Sequence, residues 1–207
     1  MIDFILFGLT AYLLGSIPTA VWLGKAKYGI DVREHGSNNA GATNTFRVLG
    51  KKPGVIVLLI DIVKGLTAVL LPFFFKVGEW GSEELINVQL IAALLAVVGH
   101  VLPLFAGFKG GKGVATSLGV IIGVHPVAAA ICLGVFLVVF VSSKFVSLGA
   151  ITAASCFPVL LIFYFKVDSE WLMAFSILLS AAVIYVHKQN IGRLLKGEEN
   201  KMNLFKK

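Results

Sequence analysis

Long apolar runs alternate with short polar ones along nearly the whole chain. The runs at 4–23, 54–75, 85–105, 146–165 and 171–186 each approach the ~20 apolar residues that a helix needs to cross a bilayer core. Two further runs, 114–124 and 127–141, are shorter, and Pro126 separates them. They read either as one re-entrant hairpin or as two short tilted helices, and the topology of the rest is the same in both cases. The pattern predicts an all-α, polytopic integral membrane bundle of about seven transmembrane helices. It leaves no room for a separate soluble domain, so residues 1–207 are expected to form a single integral membrane domain. The first run has Asp3 before it and Lys25 and Lys27 after it. A secretory signal carries its positive charge ahead of the apolar stretch, so this run reads as a retained span.

Composition agrees with that picture. Of 207 residues, 57% are hydrophobic and only 14% charged, and the mean hydropathy is +0.91. The formal charge is +7, and the 18 basic residues are unevenly placed. With the N-terminus outside, Lys76 and Lys166 fall on the outer side and Lys64 lies within a span; every other Lys and Arg falls inside. That bias predicts an outside N-terminus and a cytoplasmic C-terminus. It also accounts for the net charge without a nucleic-acid partner, and it draws anionic substrates to the inner face. Cys132 and Cys156 lie in apolar runs without metal-ligand spacing and read as buried small residues.

Three polar clusters interrupt the apolar pattern, all on the side predicted to be cytoplasmic. The most distinctive is Gly107-Phe108-Lys109-Gly110-Gly111-Lys112-Gly113-Val114-Ala115-Thr116. Its glycines let backbone N–H groups close around an anion, and its lysines supply counter-charge. It is not a nucleotide-binding P-loop: Ala106 stands where the first Gly belongs, and Gly113 follows Lys112 instead of Ser or Thr. Gly99, His100 and Pro103 precede this turn. Another cluster is Gly36-Ser37-Asn38-Asn39-Ala40-Gly41-Ala42-Thr43-Asn44, followed by Arg47. Small residues that tolerate left-handed backbone, with hydroxyl and amide groups, suit a phosphate loop, and Arg47 adds a charge-assisted contact. Ser, Asn and Thr also cap helices, but a loop of nine consecutive residues exceeds what a cap requires. The last cluster runs off the final span as His187-Lys188-Gln189-Asn190-Ile191-Gly192-Arg193-Leu194. If that helix continues, His187, Asn190 and Arg193 share one broad face, with His187 available as base, donor or phosphate contact. Asp61 and Lys64 lie inside a span at i, i+3, where they can pair, and read as a packing element.

Taken together, GSxNxGATN…R at 36–47, Asp61…Lys64-Gly65, GHxxPxFxxFKGGKGVAT at 99–116 and HxxNIxRLxxG at 187–197 resemble the bacterial acyl-phosphate:glycerol-3-phosphate acyltransferase family, the PlsY family. The resemblance covers nearly the full length. It implies transfer of a fatty acyl group from acyl phosphate to the 1-hydroxyl of glycerol 3-phosphate, giving lysophosphatidic acid and phosphate. It assigns catalytic roles to Ser37, Arg47, Lys112, His187 and Asn190. It assigns substrate binding to Asn39, Gly41, Thr43, Asn44, His100, Lys109, Gly110, Gly111 and Gly113, and makes Glu199 structural. Many relatives have Gly at Asn38, and Asn is the non-glycine residue best able to hold positive φ. Some carry serine at Ala150, so a substrate contact is expected from Ser147 instead. The implied enzyme needs no metal or other cofactor. It sits in the bacterial inner (plasma) membrane with a cytoplasmic active site, among membrane lipid, and acts as a monomer. The hydroxyl proton goes to a donor phosphate oxygen or to His187, and an acyl-enzyme on Ser37 is a variant. The alternative from another class is a membrane transporter of a phosphate ester. The intramembrane pair and short spans suit it, but the sequence shows no inverted repeat, and its polar residues gather on one face instead of at the midplane.

Overall fold

The computed structural model describes residues 2–202; Lys206 and Lys207, which entered the charge bias, lie outside the described residues. All regular structure among the described residues is helical. The α-helices are α1 (Ile2–Gly15), α2 (Thr19–Leu23), α3 (Ala42–Leu49), α4 (Lys51–Phe74) and α5 (Glu83–Val101). They continue as α6 (Val114–Val124), α7 (Pro126–Ser143), α8 (Val146–Val159), α9 (Glu170–Val186) and α10 (Lys188–Leu195). Single 3₁₀ turns occupy Val32–Glu34 and Leu104–Ala106, and π-turns extend α2 and α8.

All of the apolar runs named above are helical over most of their length, with breaks at Ser16–Pro18 and Leu102–Pro103. Among the described residues, five segments are long and apolar enough to cross a membrane: Ile2–Tyr28, Lys51–Phe74, Glu83–Ala106, Pro126–Ser143 and Val146–Tyr164. A sixth is α9 with α10, if that pair, bent by 60°, is counted as one span. The two short runs part company here. The helix over the second reaches 18 residues, because Pro126 starts it at its first turn and the polar Ser142 and Ser143 extend it. Both serine hydroxyls donate to the Val139 carbonyl one turn back, so they join the helix without unsatisfied groups. The first run, α6, stays at 11 residues, roughly 16 Å at 1.5 Å per residue, about half a hydrocarbon core.

The chain forms two compact units that divide between Val124 and His125. In the first, α1 packs on α5 and α4 on α6 through small residues. A Cβ at Gly15 would strike the Ala96 backbone, and one at Gly99 the Tyr12 carbonyl. Gly65 lies on the Thr116 carbonyl and Gly119 on that of Ile62. Backbone-to-backbone approach of this kind is how apolar helices gain packing where no hydrophobic effect separates them from lipid. The first span is broken at Ser16–Pro18, where proline lacks an N–H. In the second unit, α7 and α8 meet at Lys144, which takes φ 64°, and α8 packs on α9 with α10 against both.

Candidate active site

In the first unit, the loop at 32–41 is built around one side chain. Asn44, 1% exposed, sits in the first turn of α3 and faces back into the loop. Its Nδ2 donates to the carbonyls of Val32 (2.7 Å), His35 (3.0 Å) and Asn39 (3.0 Å). Its Oδ1 accepts from the Ser37 N–H at 2.8 Å and the Ser37 hydroxyl at 3.1 Å. Asn44 is thus occupied internally and holds the loop that presents Ser37 and Asn39. Asn38 takes φ 55°, a left-handed value that asparagine holds better than other non-glycine residues. Gly41, which has no side chain to cap with, starts α3, and the first-turn amides at Ala42 and Thr43 carry the positive end of the helix dipole, which favours negative charge. Arg47 lies exposed one turn further along α3.

The glycine–lysine turn is seated on the end of α5. Gly110 N–H donates to Val101 O at 3.2 Å and Gly111 N–H to His100 O at 3.1 Å. These two amides therefore bind the protein itself. Their residues must be glycine because a Cβ at Gly110 would overlap the His100 carbonyl, and one at Gly111 the His100 ring. His100 is buried beneath the turn as its floor. Gly113, with φ 74°, releases the chain into α6. The charge comes from Lys109, which is exposed, and Lys112, which is half-buried.

A residue pair with no assigned role in the sequence joins these two clusters. Arg33 forks onto Asp31, Nε to Oδ1 at 3.0 Å and Nη2 to Oδ2 at 2.7 Å. Its Nη1 donates to Ala106 O at 2.7 Å and to Lys109 O at 3.4 Å. Lys25 approaches the same carboxylate at 3.2 Å. Hydrogen bonding from Arg33 holds the Asp31 carboxyl well below the usual carboxylate range, against the opposing effect of burial. The two segments border a cleft of about 540 Å³ whose lining includes Arg33, Asn38, Lys109 and Gly110. The only signal in the sequence was an acid and an arginine two residues apart, just ahead of the loop.

The second unit gathers the remaining residues around Glu199. Its Oε1 accepts from Ser147 Oγ at 2.9 Å and Asn190 Nδ2 at 2.7 Å, and its Oε2 from Arg193 Nε at 2.7 Å. Burial pushes the Glu199 carboxyl up, but hydrogen bonds from Asn190, Arg193 and Ser147 outweigh it and hold it below its ordinary value. The strand of chain after α10 is further tied by Met202 N–H to Lys144 O at 2.9 Å. His187 sits at the bend between α9 and α10, so the last helix does not run on straight. The chain turns where an apolar span gives way to an amphipathic segment, yet Asn190 and Arg193 still share a face. His187 Nδ1 lies 2.7 Å from Val183 O. A carbonyl only accepts, so Nδ1 carries the proton and Nε2 is the nitrogen with basic character in the neutral ring.

Cationic loops on an apolar helical scaffold are the setting that a membrane enzyme acting on a phosphorylated substrate needs. The family model for glycerol-3-phosphate acyltransferase matches residues 5–197. Glycerol-3-phosphate acyltransferase of Chlorobaculum tepidum is 42% identical over 100% of both chains. That of Fusobacterium nucleatum is 44% identical over 96% of this chain and 97% of its own. Among solved structures, PlsY (YgiH), an integral membrane glycerol 3-phosphate acyltransferase, superposes in its glycerol 3-phosphate form with a TM-score of 0.86. It does so at 38% identity, over 98% of this chain and 99% of that one. Its lysophosphatidic acid form gives 0.82 at 37% identity, over 97% and 96%. The chain belongs to the glycerol-3-phosphate acyltransferase family and is an integral membrane acyltransferase.

Proposed function

We propose that the protein transfers a fatty acyl group from acyl phosphate to the 1-hydroxyl of glycerol 3-phosphate. The hydroxyl oxygen attacks the acyl carbonyl carbon, the bond from that carbon to the phosphate oxygen breaks, and the hydroxyl proton leaves with the phosphate. Products are lysophosphatidic acid and inorganic phosphate. The observation that carries this reading is the linkage of two cationic segments, the 36–47 loop with α3 and the glycine–lysine turn, through Arg33. Two anionic substrates must be held together against mutual repulsion, and paired cationic segments supply that screening. An acyl phosphate is already activated, so positioning, with up to ~7–11 kcal/mol from proximity, does much of the work.

In this reading Arg47, Lys109 and Lys112 bind phosphate, with the amides around Gly41 and Thr43 stabilising developing negative charge. The Ser37 hydroxyl donates to an amide oxygen, which cannot take its proton, so direct transfer is favoured over an acyl-enzyme. Asn39, Gly110, Gly111, Gly113 and His100 shape the loops, and Asn44 acts by holding Ser37. His187, Asn190 and Ser147 serve the same reaction, with His187 Nε2 the rival acceptor of the hydroxyl proton. The chain works as a monomer in the inner membrane, all of residues 1–207 serving this one reaction. About seven crossings, counting α6, put the N-terminus outside and the loops and C-terminus on the cytoplasmic face. Its acyl tails lie among the helices and gain ~0.8 kcal/mol per buried methylene against water.

The test uses purified, detergent-solubilised protein with glycerol 3-phosphate and labelled palmitoyl phosphate, scoring lysophosphatidic acid and released phosphate. Acyl-CoA and acyl carrier protein serve as parallel donors. Product from acyl phosphate alone, lost in Lys112→Ala and Arg47→Ala, is the expected result. Product from a thioester alone overturns the donor, and no product from any donor overturns the reaction.

A further inference from the structure

Asp61 is the hub of a polar network inside the first unit. It is 1% exposed, and Lys64, His100 and Thr19 around it are also buried. Lys64 Nζ lies 2.8 Å from Asp61 Oδ1 and donates to Ile17 O at 2.9 Å. Thr19 Oγ1 donates to Asp61 Oδ1 at 3.3 Å. The same carboxylate oxygen stands 3.7 Å from His100 Nδ1, a buried nitrogen with no hydrogen-bond partner among the described residues. The network therefore ties the break in the first span to α4 and abuts the end of α5 at His100.

Helix packing does not require these charges. The α1–α5 and α4–α6 contacts are already made by glycine and alanine backbones, and a buried ion pair is weak evidence of stabilisation against an apolar replacement. What the pair does touch is the seat of the glycine–lysine turn. The carbonyl of His100 accepts from Gly111 N–H, and its ring fills the space where a Gly111 Cβ would stand. Asp61, Lys64, His100, Gly110 and Gly111 all line one small cavity of about 10 Å³.

We propose that Asp61 and Lys64 are positioning residues that fix the glycine–lysine turn through His100 and so set affinity for the substrate the turn holds. The inference rests on the reading that this turn binds glycerol 3-phosphate. Asp61 abuts the His100 ring at 3.7 Å without a hydrogen bond and so limits where the ring can stand, and the ring and carbonyl together fix the backbone from which Lys109 and Lys112 project. A misplacement of about 1 Å in such an element is enough to lower turnover or binding ten- to a hundredfold.

The experiment compares Asp61→Asn/Lys64→Met with the wild type and with Lys112→Ala. The double variant removes both charges together, so neither is left buried alone. KM for glycerol 3-phosphate and for palmitoyl phosphate are measured separately, alongside thermal unfolding in detergent. The expected result is a roughly tenfold or larger rise in KM for glycerol 3-phosphate, with KM for the acyl donor and the Tm held. Unchanged KM values, or a joint loss of both affinities with Tm, overturn the proposal and return the pair to helix packing. If Lys112→Ala also leaves glycerol 3-phosphate binding intact, the reading of the turn itself fails. If Lys112→Ala weakens it and the double variant does not, only the positioning role fails. Should the double variant not fold, Thr19→Val, which removes one hydroxyl from Asp61, decides by the same KM split.

Discussion

Arg33 donates from Nη1 to the carbonyl oxygen of Ala106 at 2.7 Å, across 73 positions of sequence, while its other nitrogens fork onto Asp31. A lysine cannot make both contacts, because a single ammonium lacks the planar fork. Arg33→Lys is expected to lower kcat/KM for glycerol 3-phosphate about tenfold, and Arg33→Met more, with little change in expression; steady-state kinetics check it. Activity at or above the wild-type level in Arg33→Met would remove the clamp from the account.

Asn44 donates to three carbonyls and accepts from Ser37, a set that only an amide fulfils. Asn44→Asp keeps the acceptor but turns a carboxylate toward three carbonyl oxygens. It is therefore expected to destabilise at least as much as Asn44→Ala, each by about 3 kcal/mol or more, read as a fall in Tm. A milder Asp than Ala would mean the loop is held by something else.

Gly111→Ala sets a methyl against the His100 ring, whereas Gly107→Ala meets nothing within 4 Å and bears only its φ of 62°. Overpacking at the first is expected to cost about 1–3 kcal/mol and to raise KM for glycerol 3-phosphate. The second should cost about 1 kcal/mol with KM near wild type. Equal KM effects at the two positions would contradict the seat described for the turn.

Glu199 has a folded-state pKa below its ordinary value, so its contribution to stability is complete above the unfolded pKa of about 4.3 and fades as pH falls through the lower folded value. Wild-type Tm should fall on acidification below about pH 4, and Glu199→Gln should flatten part of that fall while lowering Tm near pH 7 by the equivalent of about 1–3 kcal/mol. Asp31 follows the same sign, so its pairing with Arg33 is intact throughout pH 5–8. Parallel acid profiles of wild type and Glu199→Gln would refute the assignment.

Ser37→Ala is expected to cut kcat at least tenfold, since it removes a hydroxyl at the proposed reaction centre. Incubating wild type with labelled palmitoyl phosphate, without glycerol 3-phosphate, should leave no covalent label on the protein. Stoichiometric label on Ser37 would establish an acyl-enzyme instead.

Much of the scaffold was legible from residue order, because helices across apolar runs depend on near neighbours alone. Hydropathy placed all of the apolar helices, and Asn38 took the positive φ that the family resemblance implied. The polar clusters were equally visible, being interruptions of an apolar pattern. Hydropathy did not give the true length of α7, because serines that bond back to the helix look polar to any window. Nor did it give the bend at His187: the change from an apolar to an amphipathic segment marks where the membrane run ends, not that the helix axis turns there by 60°.

The order of apolar and polar residues thus determined by itself that this is a helical membrane protein with cationic glycine-rich loops. Each of those properties sums over residues close in the chain. Tertiary packing alone decided that Asn44 and the Gly110 and Gly111 amides face inward, that Arg33 spans two clusters, and that Glu199 gathers Ser147 and Asn190 from 52 and 9 residues away. A hydrogen bond needs a partner at about 3 Å, and which groups come that close is set by how distant segments pack.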